Sequence, residues 1–434
     1  MYGETTMSTQ VSRQNRDTEV LVIGAGAAGL MAAISSAETG AETVIVERNE
    51  FAGKKLRITG KGRCNVTNDC TAREFFEAVN HNPKFLYGVI NKFEPADTKD
   101  FFESLGVPLK TERGRRVFPV SDKAADIRDA LVRRSRELGV KSVYGIRIKD
   151  IEPSGADERW IARSYDGTAI SAKCIIICTG GISYPGTGST GDGYRMLSKH
   201  GIQITDIKPS LVPIETEEDY SDISGLSLKN VKLTVKDSTG EIYSEQGEML
   251  FTHFGVSGPL VLTASSKMQK KDISEYVICL DLKPALDEQT LDRRLISDLQ
   301  KYSARDFQNS LSDLLPQNFI HYVVERTKID PHKKSGEITK AERRSLLETL
   351  KSFTIRPKKF RPVAEAIITS GGIDVSEINP KTMELKKLPC VYAAGEIIDV
   401  DATTGGYNLQ IAFATARAAG ISAGTKVTGD NNGY

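Results

Sequence analysis

Three glycines, Gly24, Gly26 and Gly29, follow the apolar run Val20–Ile23, and a carboxylate, Glu47, stands at the end of the next apolar run, Thr43–Val46. Residues of these types at this spacing bind an adenine dinucleotide. Gly24 makes the turn, Gly26 lets backbone come up against a pyrophosphate, Gly29 lets helix and strand pack closely, and Glu47 accepts hydrogen bonds from ribose hydroxyls. Ala27 and Ala28 open the helix between the glycines, and Arg48 follows the carboxylate. The bare spacing is a weak signal. With 37 glycines in 434 residues, G-x-G-x-x-G arises roughly 0.3 times by chance. Gly186, Gly188 and Gly191 match it again, but with Thr179-Gly180-Gly181 between them and the preceding strand. The strand–turn–helix–strand context selects the first match.

Other residues suit a second wall of the same site. The loop 53–68 carries Lys54, Lys55, Arg57, Lys61 and Arg63 among Gly60, Gly62, Cys64 and Asn65, which concentrates donors beside flexible backbone. The expected strand Cys174–Cys178 ends in Thr179, Gly180 and Gly181, and the expected strand Cys390–Ala394 ends in Gly395 and Glu396. Strand ends of this kind meet the ligand crevice of an open α/β sheet. Gly405, Gly406, Tyr407 and Asn408 then lead into an Ala-rich helix. Its N-terminus offers backbone N–H groups and the positive end of a dipole, and the two glycines allow close passage against a flat ligand. His253, between aromatic residues in Phe251–Gly255, is the candidate proton donor. Cys64 is either a redox partner or a packing residue. The basic segment Arg113–Val120 either reaches the ligand or forms a turn. The five histidines form no H-x-x-x-H pair and the six cysteines no C-x-x-C. No metal site is expected, and the cysteine usage fits a reducing compartment.

The elements that must position these residues fall into four stretches. Residues 1–17 read as a flexible polar arm, 18–206 as the first part of a nucleotide-binding α/β domain, 207–354 as an insertion, and 355–434 as the closing part. Within the first part, Glu74–Val79, Lys84–Lys92, Thr98–Leu105 and Lys123–Leu138 read as helices. A period of two from Ser142 onward reads as a β-meander entering the strand that ends at Cys178. The insertion is β-rich over about 207–283 and helical over about 284–354, its two textures segregated rather than alternating. Charge is balanced, 58 basic residues against 57 acidic, so no global field recruits nucleic acid or a membrane. The uncharged stretch 20–37 is explained by the glycine turn and its helix better than by a signal peptide or membrane span. The expectation is a cytoplasmic protein with a small-molecule substrate; oligomeric state stays open.

Four longer motifs then converge. Gly60–Asn68, Pro185–Gly193, Leu250–Pro259 and Ala394–Asn408 closely resemble, in order, those of the bacterial HI0933-like (YhiN/BaiN-type) flavoproteins, over about residues 18–424. The resemblance implies an α/β fold, a glutathione-reductase-like FAD-binding Rossmann domain interrupted by an inserted β-barrel plus helical domain. It implies FAD held by Gly24, Gly26, Gly29 and Glu47 at the ADP half and by Glu396 near the ribityl or ribose-pyrophosphate region. Gly405, Gly406, Tyr407 and Asn408 would lie by the isoalloxazine, with Arg63, Cys64 and Asn65 on another of its faces. The implied activity is that of an oxidoreductase taking hydride from NAD(P)H, bound transiently because no second fingerprint exists, and reducing an organic acceptor. An activated C=C bond is one candidate acceptor. Two rival classes are an FAD-dependent RNA-modifying enzyme, suggested by the basic loop 54–63 and Arg356–Arg361, and a flavin-binding redox sensor without turnover.

Overall fold

The computed structural model describes residues 16–155 and 157–429. The chain forms two compact units, one from the residues up to Lys208 together with those from Ile368 on, the other spanning Pro209–Ile367.

The first unit is built on strands β1 (Arg16–Ile23), β2 (Thr43–Glu47), β3 (Thr67–Asn68), β4 (Leu109–Glu112), β5 (Arg116–Pro119), β6 (Lys141–Tyr144), β7 (Ile148–Pro153), β8 (Trp160–Ser164) and β9 (Ala169–Ile177). Its main sheet runs β6-β2-β1-β9-β8-β7. β1 pairs in parallel with β2, from Val20 opposite Thr43 to Ile23 opposite Val46, and with β9, from Arg16 opposite Ile170 to Ile23 opposite Ile177. Val20–Ile23 and Cys174–Ile177 are buried without alternation, as strands covered on both faces must be. The sheet forks at β9. Its first residues, Ala169–Ala172, pair antiparallel with β8, and its last, Ile175–Ile177, pair in parallel with the strand Val391–Ala393. The C-terminal ends of β1, β2, β9 and Val391–Ala393 therefore share one edge, which gathers Gly24, Glu47, Thr179 and Gly395.

Two helices cover this edge. Helix α1 (Ala27–Ala37) is buried from Ala28 to Ser36, which accounts for its lack of charge. The closing helix Tyr407–Thr428 packs on it through small residues: a Cβ on Gly420 would stand 2.4 Å from the Ala32 carbonyl oxygen, and one on Gly424 2.9 Å from that of Ser36.

Two expectations need correction, and the turn alternative for 113–120 holds. Arg16 and Asp17 belong to β1 rather than to an arm, because their pairing with Ile170 and Ser171 extends the β1–β9 ladder; residues 1–15 lie outside the described residues. The segment 113–120 is the turn and second strand of a hairpin, β4–β5, and β3 pairs with β5 to complete a small three-stranded sheet. The expected helix Lys84–Lys92 is a 3₁₀ turn, Pro83–Leu86, followed by the single helical turn Tyr87–Ile90.

The second unit is a seven-stranded antiparallel sheet with the helices Pro259–Lys267, Glu288–Lys301, Ile320–Thr327 and Lys340–Lys351. Phe251, Phe319 and Phe353 lie at its centre, with ring centroids 5.3 and 5.1 Å apart. A boundary after residue 354 is too early. Phe353–Ile355 pairs with Val277–Asp281 and Pro357–Phe360 with Ile214–Thr216, so both strands belong to this sheet and the first unit resumes at Ile368. No helix among the described residues is long and apolar enough to cross a membrane.

The contact between the two covering helices sets an expected outcome. In an exposed helix, Gly→Ala stabilises by up to about 1 kcal/mol. At Gly420 the added methyl has to displace the Ala32 backbone, so Gly420→Ala is expected to cost about 1–3 kcal/mol and lower the thermal midpoint. A raised midpoint would show that the helices are not in such contact.

Candidate functional site

The turn after β1 is fixed by backbone contact. Gly24 has φ +100° and donates its N–H to the Val46 carbonyl at 2.8 Å. A Cβ there would lie 2.5 Å from the Cys178 carbonyl oxygen, and a Cβ on Gly29 would lie 1.7 Å from that of Gly24. Gly26 differs. Its φ of −79° suits any residue, and a Cβ on it would meet nothing within 4 Å. The fold makes no demand for glycine at this position; the open space before it is what glycine preserves. Gly26 caps α1 without a side-chain hydrogen bond, and the first turn contains no acid, so the helix presents its N–H groups and dipole to that space.

Glu47, 8% exposed, holds the turn from the other side. Its Oε2 accepts the Ala25 N–H at 2.8 Å, and its Oε1 accepts the Asn49 N–H at 2.8 Å and the Asn49 amide at 2.7 Å. Arg48 is committed elsewhere: it donates to Thr190 Oγ1 at 2.6 Å and pairs with Asp192 at 3.1 Å. Burial raises the Asp192 pKa, but the guanidiniums of Arg147, Arg195 and Arg48 prevail and hold it below the usual carboxylate range.

A second cluster joins distant parts of the chain. Lys55 Nζ donates to Glu396 Oε2 at 2.6 Å and to Ser183 Oγ at 2.7 Å. Glu396 Oε1 accepts from Ser183 Oγ at 2.7 Å and from the Thr369 N–H at 2.9 Å. Thr369 Oγ1 in turn accepts the N–H groups of Ile182 and Ser183 at 2.9 and 3.2 Å. Gly181 is required here, since a Cβ would stand 2.2 Å from Thr369 Oγ1. Gly180, at φ +71°, lies against Ser189. Gly395, at φ +82°, brings its backbone within 2.7 Å of the Ala28 methyl, counted from the position of a Cβ. Both oxygens of Glu396 are thus engaged, and the cluster ties the ends of β9 and Val391–Ala393 to the glycine turn.

The basic loop forms a third side. Lys61 and Cys64 have φ of +59°, and Gly60 and Gly62 have φ of +55° and +84°. Non-glycine residues in this region store about 1–3 kcal/mol of strain each. Arg63 turns away to the β4–β5 hairpin, where it pairs with Glu112 and Asp122 and lies 4.1 Å above the Phe118 ring. Cys64 is fully buried, and burial pushes its thiol up to about 12, so it stays protonated. Among the described residues, Asn65 Oδ1 and Thr179 Oγ1 are two of seven side-chain polar atoms buried without a hydrogen-bond partner. Such atoms cost about 1–3 kcal/mol each.

On the fourth side, a Cβ on Gly406 would stand 2.3 Å from the Thr67 carbonyl oxygen, and Asn68 donates to the Gly405 carbonyl at 3.1 Å. Gly406 caps the closing helix, again without a side-chain hydrogen bond or an acid in the first turn. The Tyr407 ring packs on Phe75 with centroids 5.5 Å apart. Asn408 folds back, accepting the Ala402 N–H at 2.9 Å and donating to its carbonyl at 2.8 Å.

Sequence reasoning missed several polar residues of this unit. Gln410 is fully buried; it accepts from Thr67 and Thr98, each at 2.7 Å, and donates to the Phe93 carbonyl at 2.8 Å. His81 Nδ1 pairs with Asp401, whose side chain is 2% exposed while the imidazole is 36% exposed. Asp401 also accepts from Asn80 at 3.0 Å and Ser370 at 3.2 Å. A buried carboxylate holding an accessible imidazole can keep and pass a proton. Asp401 lies inside the Ala394–Asn408 motif, a signal that was available; His81 stands alone in sequence. His253 belongs to the second unit, exposed between Gly240–Thr252 and Gly255–Ser257, with its ring centroid 5.0 Å from that of Phe254.

Comparison with known proteins places the chain in a family. The chain is 28% identical to a 3-dehydro-bile acid delta(4,6)-reductase of Clostridium scindens, over 93% of this chain and 98% of that protein. It is 26% identical to a ribosomal RNA dihydrouridine synthase of Escherichia coli, over 92% of this chain and 96% of that protein. A solved quinol–fumarate reductase with menaquinol has a like fold, with a TM-score of 0.50 and 17% identity over 97% of this chain and 73% of that one. The family model of the HI0933-like protein Rossmann domain matches residues 18–422. The protein whose glycine turn, Lys55–Glu396 cluster and helix-capping Gly406 meet in one unit therefore belongs to the HI0933-like family and is a flavin-dependent oxidoreductase.

Proposed function

We propose that this flavoprotein uses NADH or NADPH to reduce a C=C bond conjugated to a carbonyl in an organic acceptor. The observation that carries the reading is the pair of full-length relatives. One is named for reducing a 3-dehydro-bile acid and the other for making dihydrouridine in ribosomal RNA. A steroid and a nucleobase share no shape, but each offers a double bond activated by a carbonyl, so the shared reaction is the addition of two hydrogens across it.

The residues fit FAD. Gly24, Gly26, Gly29 and Glu47 would hold the ADP half, Thr179–Gly181 with the Lys55–Glu396 cluster the middle, and Asn65 with Gly405–Tyr407 the flavin end. When bound, FAD supplies two-electron hydride chemistry. The chain contributes room, donors and charge. Gly26 leaves its space open, and the uncapped start of the closing helix favours negative charge near it. Lys55 neutralises Glu396, so the middle of the site adds no net negative charge against a pyrophosphate. His81, held at Nδ1 by Asp401, would as the imidazolium offer its Nε2 proton to the acceptor carbon next to the carbonyl.

A uridine in RNA is the second reading, favoured by the names of the Escherichia coli and Haemophilus influenzae relatives. Arg113, Arg115 and Arg116 on the β4–β5 hairpin are exposed, although the balanced net charge provides no long-range attraction.

Three outcomes are expected. Anaerobic mixing of the purified protein with NADH and with NADPH should bleach the visible flavin band with at least one of them, and a carbonyl-conjugated alkene should restore it. Persistence of the band with both would overturn the pyridine-nucleotide reading, and restoration only by unmodified ribosomal RNA would select the second. Gly26→Ala is compatible with the local backbone and its methyl meets no protein atom within 4 Å, so the thermal midpoint of the FAD-free protein should hold while FAD affinity falls at least about tenfold, a loss of 1.4 kcal/mol or more. His81→Gln should slow acceptor reduction by about 10²–10⁴ and leave bleaching by the nucleotide unchanged. If His253→Gln produces that split instead, the proton belongs to His253.

A further inference from the structure

Cys174 and Cys390 are far apart in sequence and share no motif, yet the fold sets them side by side. Val391–Ala393 runs parallel to β9, with Val391 opposite Ile175 and the Ile175 N–H donated to the Cys390 carbonyl at 2.9 Å. Cys174 and Cys390 each occupy the residue just before a paired position, which sets the two opposite one another across the adjacent strands. Neighbouring strands lie about 4.8 Å apart, within the Cα separation of about 4.4–6.8 Å that a disulfide spans. The two thiols differ in environment. Cys174 is fully buried, whereas Cys390 is partly exposed and sits at φ +64° ahead of its strand. The neighbouring Cys174 thiol and the ammonium of Lys426 outweigh burial and the nearby Glu384, drawing the Cys390 thiol below its ordinary value. Cys174 is pushed up by the neighbouring Cys390 and by burial. Lys426 is held in place by Glu384 at 2.7 Å, and the same Glu384 oxygen accepts the Cys390 N–H at 2.7 Å.

We propose that Cys174 and Cys390 form a reversible disulfide when the protein meets a peroxide, with Cys390 as the attacking thiolate and Cys174 as the resolving thiol. Cys390 Sγ attacks one peroxide oxygen, the O–O bond breaks, and hydroxide leaves and takes up a proton as water; the product is a sulfenic acid. Cys174 Sγ then attacks that sulfur, expelling a second water. Two thiols and one hydrogen peroxide give one disulfide and two waters, the two electrons passing from the sulfurs to the peroxide. The position gives the bond its meaning. β9 runs from Cys174 into Thr179–Gly181, and the chain runs from Cys390 into Gly395–Glu396, so the cross-link ties together the two strands whose far ends carry the Lys55–Glu396 cluster. The inference does not depend on which acceptor the protein reduces.

The test treats the FAD-loaded protein with a slight excess of hydrogen peroxide, denatures it, blocks free thiols with iodoacetamide and maps the peptides by mass spectrometry. The expected result is a Cys174–Cys390 linked pair, a fall from six to four alkylatable thiols per chain, and full return on adding dithiothreitol. Cys70 and Cys279, both partly exposed, should remain alkylatable. With dimedone present, Cys174→Ser should trap a sulfenic acid at Cys390, and Cys390→Ser should leave Cys174 unmodified. Wild-type protein in which Cys390 is oxidised while Cys174 stays alkylatable would overturn the proposal, as would retention of all six thiols; neither result depends on the variants folding.

Discussion

The constraint on which the first unit depends is a contact between backbones. The Gly24 carbonyl fills the place that a side chain on Gly29 would take, and the Cys178 carbonyl fills the place of one on Gly24. Because nothing larger than hydrogen separates these segments, α1 starts directly over the end of β1 and the end of β9 abuts the turn. Ala28 then reaches Gly395, and Gly420 lets the closing helix lie on α1. Each approach presupposes the one before it. A dinucleotide site of this kind is a by-product of close packing, in which bare backbone N–H groups are left facing a space that no side chain enters.

The polar residues make a different contribution. Lys55 and Glu396 are about one-fifth exposed, and an ion pair this wet adds little to stability. Its value lies in geometry: three hydrogen bonds converge on one carboxylate and join the loop after β2, the loop after β9, the segment at Thr369 and the end of Val391–Ala393. Thr369 and Ser370 are consecutive, and they serve the Glu396 cluster and the Asp401 cluster respectively. One peptide unit thus joins the two clusters.

The parts that were legible in the sequence are those in which a local pattern carries the physics. The run Val20–Ile23, the three glycines and Thr43–Val46 announce a βαβ unit because burial on both faces removes alternation and a tight turn demands glycine. The helix after Gly406 was legible for the same reason. The three-stranded sheet was not, because β3, β4 and β5 are two to four residues long, too short for a period of two to register. The strands Phe353–Ile355 and Pro357–Phe360 escaped likewise, which moved the boundary between the units. At the site, Gly26 could be read from spacing, whereas Lys55 meeting Glu396 and His81 meeting Asp401 could not, since each pair is separated by more than three hundred residues. Arg63 and Arg48 show the converse: their charge suggested a ligand, and the fold pairs them with its own carboxylates.

The fork at β9 has a consequence for the order in which the protein can be made. Its first half finds β8 within a few residues of synthesis, but the pairing edge of Ile175–Ile177 stays empty until Val391–Ala393 has left the ribosome, after the whole of Pro209–Ile367. For that interval the nascent chain carries an apolar strand edge of the kind that recruits other strands. The second unit, whose sheet is contiguous in sequence, can meanwhile fold by itself. Completing the first unit is thus a long-range closure that waits on Val391–Ala393.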